Sequence, residues 1–177
     1  MDRIFILAYS FANLPVCQVG HAIYGLRIMA AHVAKETTTM LEEPRAELTA
    51  MFTLRLLHAK GVITRANLDQ YLVHFCLDAL RYFAKFDSQP LQPYIIFQIY
   101  AYKTYHKHGF LTQGEGGLLA IDESKTLAVL DEFSATFEAI LQATDDGGAA
   151  GGAELERILA AMRPPTAFVR AVVAMCN

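Results

Sequence analysis

Apolar residues recur every three or four positions along most of this 177-residue chain, and glycines, prolines and capping residues separate the apolar stretches. This spacing places the apolar side chains on one face of an α-helix, whereas a half-buried strand would need them at alternate positions. Only residues 110–121 have two short apolar runs around a glycine-rich centre, which is typical of a hairpin. The sequence therefore predicts an all-α, multi-helix fold with at most one small β-hairpin near residues 110–121.

Capping residues and helix breakers give the expected boundaries of the helices. Gly61 and Gly109 are suited to left-handed helix ends, whereas Thr64 and Asp122 are suited to N-caps. The helix of residues 92–108 is apolar nearly all round, which predicts a central position in the core. The other predicted helices cover residues 16–36, 40 or 43 to 60, 65–86, 122–143, 153–162 and 165–175.

Three interruptions complete this organisation. The polar residues Thr37–Thr39 predict a break between the first two helices, and Pro44 is expected in the first turn of the second, where its missing N–H costs least. The Gly/Ala/Asp tract at residues 145–152 predicts a flexible loop inside one domain that spans residues 1–177.

The composition excludes several classes of partner. Hydrophobic residues make up 54% of the chain and charged residues 19%, which predicts a single sizeable core. Because the net charge is −3 and the sequence has no basic run, we expect no nucleic-acid partner. The apolar stretch at residues 4–16 is too short to cross a bilayer, so no membrane partner is expected. Three scattered cysteines, Cys17, Cys76 and Cys176, indicate a reducing, cytoplasmic compartment.

Two segments have the spacing of zinc-peptidase ligands. In many of these enzymes two ligands lie four residues apart on one helix, beside a carboxylate that deprotonates the metal-bound water, and a third ligand comes from the following helix. Cys17 and His21 have the first spacing, and the segment 41–47 stands in the place of the second helix. Compared with the motif HExxH, Cys17 replaces the first histidine, and Gln18 replaces the glutamate that acts as the general base.

The stretch Glu42-Glu43-Pro44-Arg45-Ala46-Glu47, followed by an apolar helix and a long helical tail, resembles the dipeptidyl-peptidase III family and its relatives fused to Nudix hydrolases. In that family the pattern EExxA[DE] follows an HExxH-type motif by a few tens of residues, and its second glutamate is the third zinc ligand. The resemblance covers roughly residues 16–177, which correspond to the C-terminal part of the family. It implies that Glu43 is a zinc ligand and that Glu42 and Glu47 support it.

Zinc binds thiolate, imidazole and carboxylate groups, so Cys17, His21 and Glu43 together are expected to hold zinc with one position left open. Gln18 is an amide and cannot take a proton from bound water at neutral pH, which predicts that peptide hydrolysis by the family's mechanism is lost or very slow. The family's upstream lobe, which supplies much of the substrate cleft, has no counterpart in the sequence. A peptide or protein partner, a homo-oligomer and a separate upstream domain are all compatible with this reading.

A reading without metal stays open beside this one. A cysteine and a histidine on an apolar helix also serve as packing residues. Carboxylates at the start of a helix, such as Glu42, Glu43 and Glu47, offset the helix dipole and form ion pairs with neighbours such as Arg45. The alternative function is therefore a metal-free helical interaction or scaffold module.

Overall fold

The computed structural model describes residues 35–85, 93–114 and 118–163. These ranges contain five α-helices, one two-stranded sheet and a single turn of 3₁₀ helix, so the predicted mainly α fold with one small hairpin is confirmed. The predicted helix at 165–175 and nearly all of the one at 16–36 lie outside the described residues. The elements are α1 (Lys35–Ala59), α2 (Arg65–Lys85), α3 (Pro93–Lys107), β1 (Leu111–Gln113), β2 (Leu119–Ile121), the 3₁₀ turn (Glu123–Lys125), α4 (Thr126–Asp146) and α5 (Gly148–Met162).

Helix α3 lies in the middle of the core, as its apolar circumference predicts, and packs against α1, α2 and α4. Its aromatic side chains meet Phe133 of α4, whose ring lies 6.0 Å from Phe97, 5.8 Å from Tyr100 and 5.9 Å from Tyr105 between centroids. The rings are tilted or perpendicular to one another, which is the favoured arrangement of aromatic pairs. Phe133 therefore joins α3 to α4.

The predicted helix ends beside Gly61, Thr64 and Gly109 are confirmed. Thr64 Oγ1 accepts a hydrogen bond from Asn67 N at 3.2 Å, and Asn67 Oδ1 accepts one from Thr64 N at 3.3 Å, so two donors at the start of α2 are satisfied reciprocally. Gly61 follows α1 with a φ of 70° and Gly109 follows α3 with a φ of 69°. Only glycine adopts this left-handed conformation without steric cost, so these two residues stop the helices.

Residues 37–39 lie within α1 (Lys35–Ala59), so the expected break at Thr37–Thr39 is wrong. Thr37 is buried, and Thr39 Oγ1 donates to the carbonyl oxygen of Lys35 at 2.9 Å, so this hydroxyl is satisfied inside the helix. Pro44 was expected in the first turn of its helix, and this expectation is wrong, because Pro44 lies in the interior of α1. Pro44 is buried, as are its neighbours Leu41, Ala46 and Leu48. Burial of these apolar side chains favours the helix and offsets the backbone hydrogen bond that proline, which has no N–H, cannot donate.

The predicted hairpin is confirmed as an antiparallel pair in which Leu111 faces Ile121, Thr112 faces Ala120 and Gln113 faces Leu119. Asp122 follows directly and caps the 3₁₀ turn, since its Oδ1 accepts a hydrogen bond from Ser124 N at 2.9 Å. The helix expected to start at Asp122 and to end near residue 143 therefore begins only at Thr126 and continues to Asp146.

The flexible loop predicted for residues 145–152 is wrong, because every residue in this range except Gly147 is helical. Gly147 and Gly148 have φ values of 60° and 62°, and they turn the chain sharply from α4 into α5. Gly151 is buried, and a Cβ atom on it would overlap the carbonyl oxygen of Ala143 at a separation that real Cβ atoms do not show. The glycines therefore serve the close approach of two helices.

The longest described helix, α1, has 25 residues and carries charged side chains along its length, among them Glu42, Arg45 and Glu47. None of the helices within the described ranges combines the length and the apolar character that crossing a membrane requires.

The corner between α4 and α5 is tested by Gly151→Ala. Replacement of glycine by alanine within a helix normally stabilises it. Here the methyl group would overlap the Ala143 carbonyl oxygen, so we expect the free energy of unfolding to fall by about 1–3 kcal/mol. Urea unfolding followed by circular dichroism measures the loss. Gly114→Ala is the matched control, since a Cβ there meets only the Leu118 carbonyl oxygen at 3.7 Å. Equal stability of the two variants would contradict the close approach.

Candidate functional site

Three of the predicted site residues, Cys17, Gln18 and His21, lie outside the described residues. The acidic residues Glu42, Glu43 and Glu47 are described, and all three lie on α1. Residues four apart on a helix share a face, so Glu43 and Glu47 lie one above the other. Glu42 is exposed, whereas Glu43 and Glu47 are partly buried. Of the three predicted zinc ligands, only Glu43 lies among the described residues, and the supporting residue Glu47 follows it one turn further along α1.

The position of these carboxylates within α1 differs from the sequence expectation. The chain is already helical at Lys35, so Glu43 lies at least eight residues and Glu47 at least twelve residues from the beginning of the helix. The favourable effect of a helix dipole on a negative charge is confined to the first turn. The dipole therefore does not explain why acidic residues occur here.

Their surroundings are apolar and sterically restricted. Arg45, between Glu43 and Glu47 in sequence, is fully buried, as are Leu41, Ala46 and Leu48. Burial of a charged side chain costs free energy that must be offset by opposite charge or hydrogen bonds. The segment 41–48 is therefore not a solvated charged surface, although its composition is typical of one.

Glu47 has the most perturbed acidity among these residues. Its Oε2 atom is buried and has no hydrogen-bond partner within the described part of the chain. Burial, and then the negative charges of Glu43 and Asp78, raise the pKa of the Glu47 carboxyl from 4.5 to about 7. Each effect disfavours the ionised carboxylate. Near neutral pH the Glu47 carboxyl is therefore protonated in a substantial fraction of molecules.

Asp78 on α2 is the site residue that the sequence analysis missed. It is partly buried and follows the buried Phe75 and Cys76, and its negative charge acts on Glu47 from a different helix. An acidic residue within an apolar run is the only signal that the sequence offers. Its proximity to Glu47 depends on how α1 packs against α2, which residue spacing does not predict.

No set of three or more His, Cys, Asp and Glu side chains within residues 35–85, 93–114 and 118–163 is arranged to hold a metal ion. Any zinc site that includes Glu43 therefore needs ligands from other parts of the chain, as the ligand set with Cys17 and His21 does. Zinc binding by these three residues stays a prediction.

A second polar cluster joins the end of α3 to α4. Glu132 Oε2 accepts hydrogen bonds from Lys107 Nζ at 2.7 Å and from His108 Nε2 at 2.6 Å. Partial burial raises the pKa of Glu132, but the bonds from Lys107 and His108 outweigh it, so the pKa lies below its ordinary value. The hydrogen bond between His108 and Glu132 gives this histidine a structural role, because it joins the end of α3 to α4.

Comparisons with known proteins add no relative: no family model, no curated protein and no solved structure matches this chain. The resemblance to the dipeptidyl-peptidase III family therefore rests on the residues of the motif alone.

Glu47→Gln tests the buried carboxyl. The folded protein binds the Glu47 proton more tightly than the unfolded chain does, so protonation of Glu47 stabilises the fold. This contribution to the free energy of unfolding is fully present below about pH 4.5 and is lost as the pH rises through about 7. The shift from 4.5 to about 7 corresponds to about 3 kcal/mol. We expect the glutamine variant to match the parent near pH 4.5 and to be more stable by about 1–3 kcal/mol at pH 8.

Urea unfolding at several pH values, in the presence of a metal chelator, measures this difference. Glu42→Gln, on the exposed side of the same helix, is the control and should follow the parent at every pH. If the stability of Glu47→Gln also follows that of the parent from pH 4.5 to 8, the Glu47 carboxyl is ionised at neutral pH in the folded protein, and burial does not raise its pKa.

The cluster on α4 is tested by Glu132→Gln. The change removes the negative charge that Lys107 and His108 share, so we expect a loss of about 1–2 kcal/mol at pH 7. The bonds from Lys107 and His108 lower the pKa of Glu132, so the loss should shrink only as the pH falls through that lowered pKa and the glutamate itself becomes protonated. Glu138→Gln, exposed on the same helix, should change stability by less than about 0.5 kcal/mol. Thermal unfolding distinguishes the two variants, and equal melting temperatures would show that the cluster contributes nothing.

Proposed function

We propose that this chain is a helical domain of the zinc-metallopeptidase type, in which Cys17, His21 and Glu43 bind a zinc ion and peptide hydrolysis has been lost. One observation carries the proposal: α1 places Glu43 and Glu47 on one face, where burial, and then the charges of Glu43 and Asp78, raise the pKa of Glu47 to about 7. A negative charge on Glu47 is unfavourable in these surroundings, because burial and the charges of Glu43 and Asp78 all oppose it. A divalent cation at Glu43 would offset this repulsion.

The proposed ligands suit zinc in type and in charge. A thiolate from Cys17, a neutral imidazole from His21 and a carboxylate from Glu43 give two negative charges, which balance those of the ion. Three protein ligands leave the fourth position of a tetrahedral site for water or for a group on a bound molecule. Glu47 and Asp78 would add negative potential around the ligands, and Glu42 is the exposed residue beside Glu43.

The proposed loss of hydrolysis depends on Gln18. A zinc peptidase needs a base beside the metal-bound water, and general-base catalysis is typically worth about 10²–10⁴-fold in rate. The amide of Gln18 has no lone pair of useful basicity. The proposed role is therefore the binding of zinc, and of a peptide or protein partner at its open position, without efficient peptide hydrolysis.

A metal-free interaction module is the second candidate. Three large apolar side chains near the hairpin and in the connection between α1 and α2 are strongly exposed: Leu118 at 75%, Val62 at 66% and Leu119 at 47%. Exposed apolar side chains of this size favour contact with another protein where they lie together. This function requires no metal, so metal content separates the two candidates.

Metal analysis of protein purified without a polyhistidine tag tests the proposal. We expect about one zinc per chain in the parent, and loss of most of it in Glu43→Ala, because removal of one of three ligands leaves an incomplete site. Glu36→Ala is the matched control, since Glu36 is an exposed glutamate on the same helix. Circular dichroism verifies that each variant is folded.

Folded parent protein that takes up no zinc, even after incubation with excess zinc and dialysis, would refute the proposal in favour of the interaction module. Zinc that persists in Glu43→Ala at the level of the parent would exclude Glu43 as a ligand. Peptide cleavage by the zinc-loaded parent would contradict the proposed loss of hydrolysis while leaving the metal site intact.

A further inference from the structure

We draw no further inference here: the strongest candidate, the groove of about 640 Å³ between the C-terminal end of α3 and the outer faces of α4 and α5, carries nothing because its charged side chains are already bonded to neighbouring groups, Lys107 and His108 to Glu132 and Arg157 to Glu154, and nothing in the structure shows what covers its alanine-lined floor.

Discussion

The contacts of Phe133 with the aromatic side chains of α3 hold α3 and α4 together, and α1 packs across both helices. The apolar residues Leu41, Leu48 and Met51 attach α1 to this core. A helix of 25 residues is nearly rigid, so burial of these positions fixes its other side chains too. The polar residues of segment 41–48 therefore occupy positions that the apolar core determines.

This constraint produces the electrostatics of the candidate site. Water hydrates the Glu47 carboxylate poorly because α1 lies against the core, and the negative charges of Glu43 and of Asp78 on α2 disfavour its ionisation further. A carboxyl in this environment binds a proton at a pH where an exposed one is ionised. Such an arrangement costs stability at neutral pH, which is typical of positions that serve a ligand. The zinc site proposed at Glu43 would give that cost a reason.

The sequence predicted the parts of the fold that depend on local chemistry. The capping pair of Thr64 and Asn67, the left-handed Gly61 and Gly109 and the apolar circumference of α3 are local features, and the structure has each of them. The sequence failed where tertiary packing overrides propensity. The threonines at 37–39 are helical because Thr37 is buried, and the glycines after Asp146 allow α5 to approach α4 closely instead of forming a loop. The same limit applies to the site, since α1–α2 packing brings the charge of Asp78 to Glu47.

The zinc-binding proposal assigns Glu43 on α1, together with Cys17 and His21, to one metal ion. X-ray absorption at the zinc edge, measured on the zinc-loaded, untagged protein, reports the ligand atoms directly. We expect one sulfur at about 2.3 Å together with nitrogen and oxygen ligands at about 2.0–2.2 Å, and loss of the sulfur signal in Cys17→Ser. A coordination shell that contains only nitrogen and oxygen, or the absence of bound zinc, would contradict the proposal.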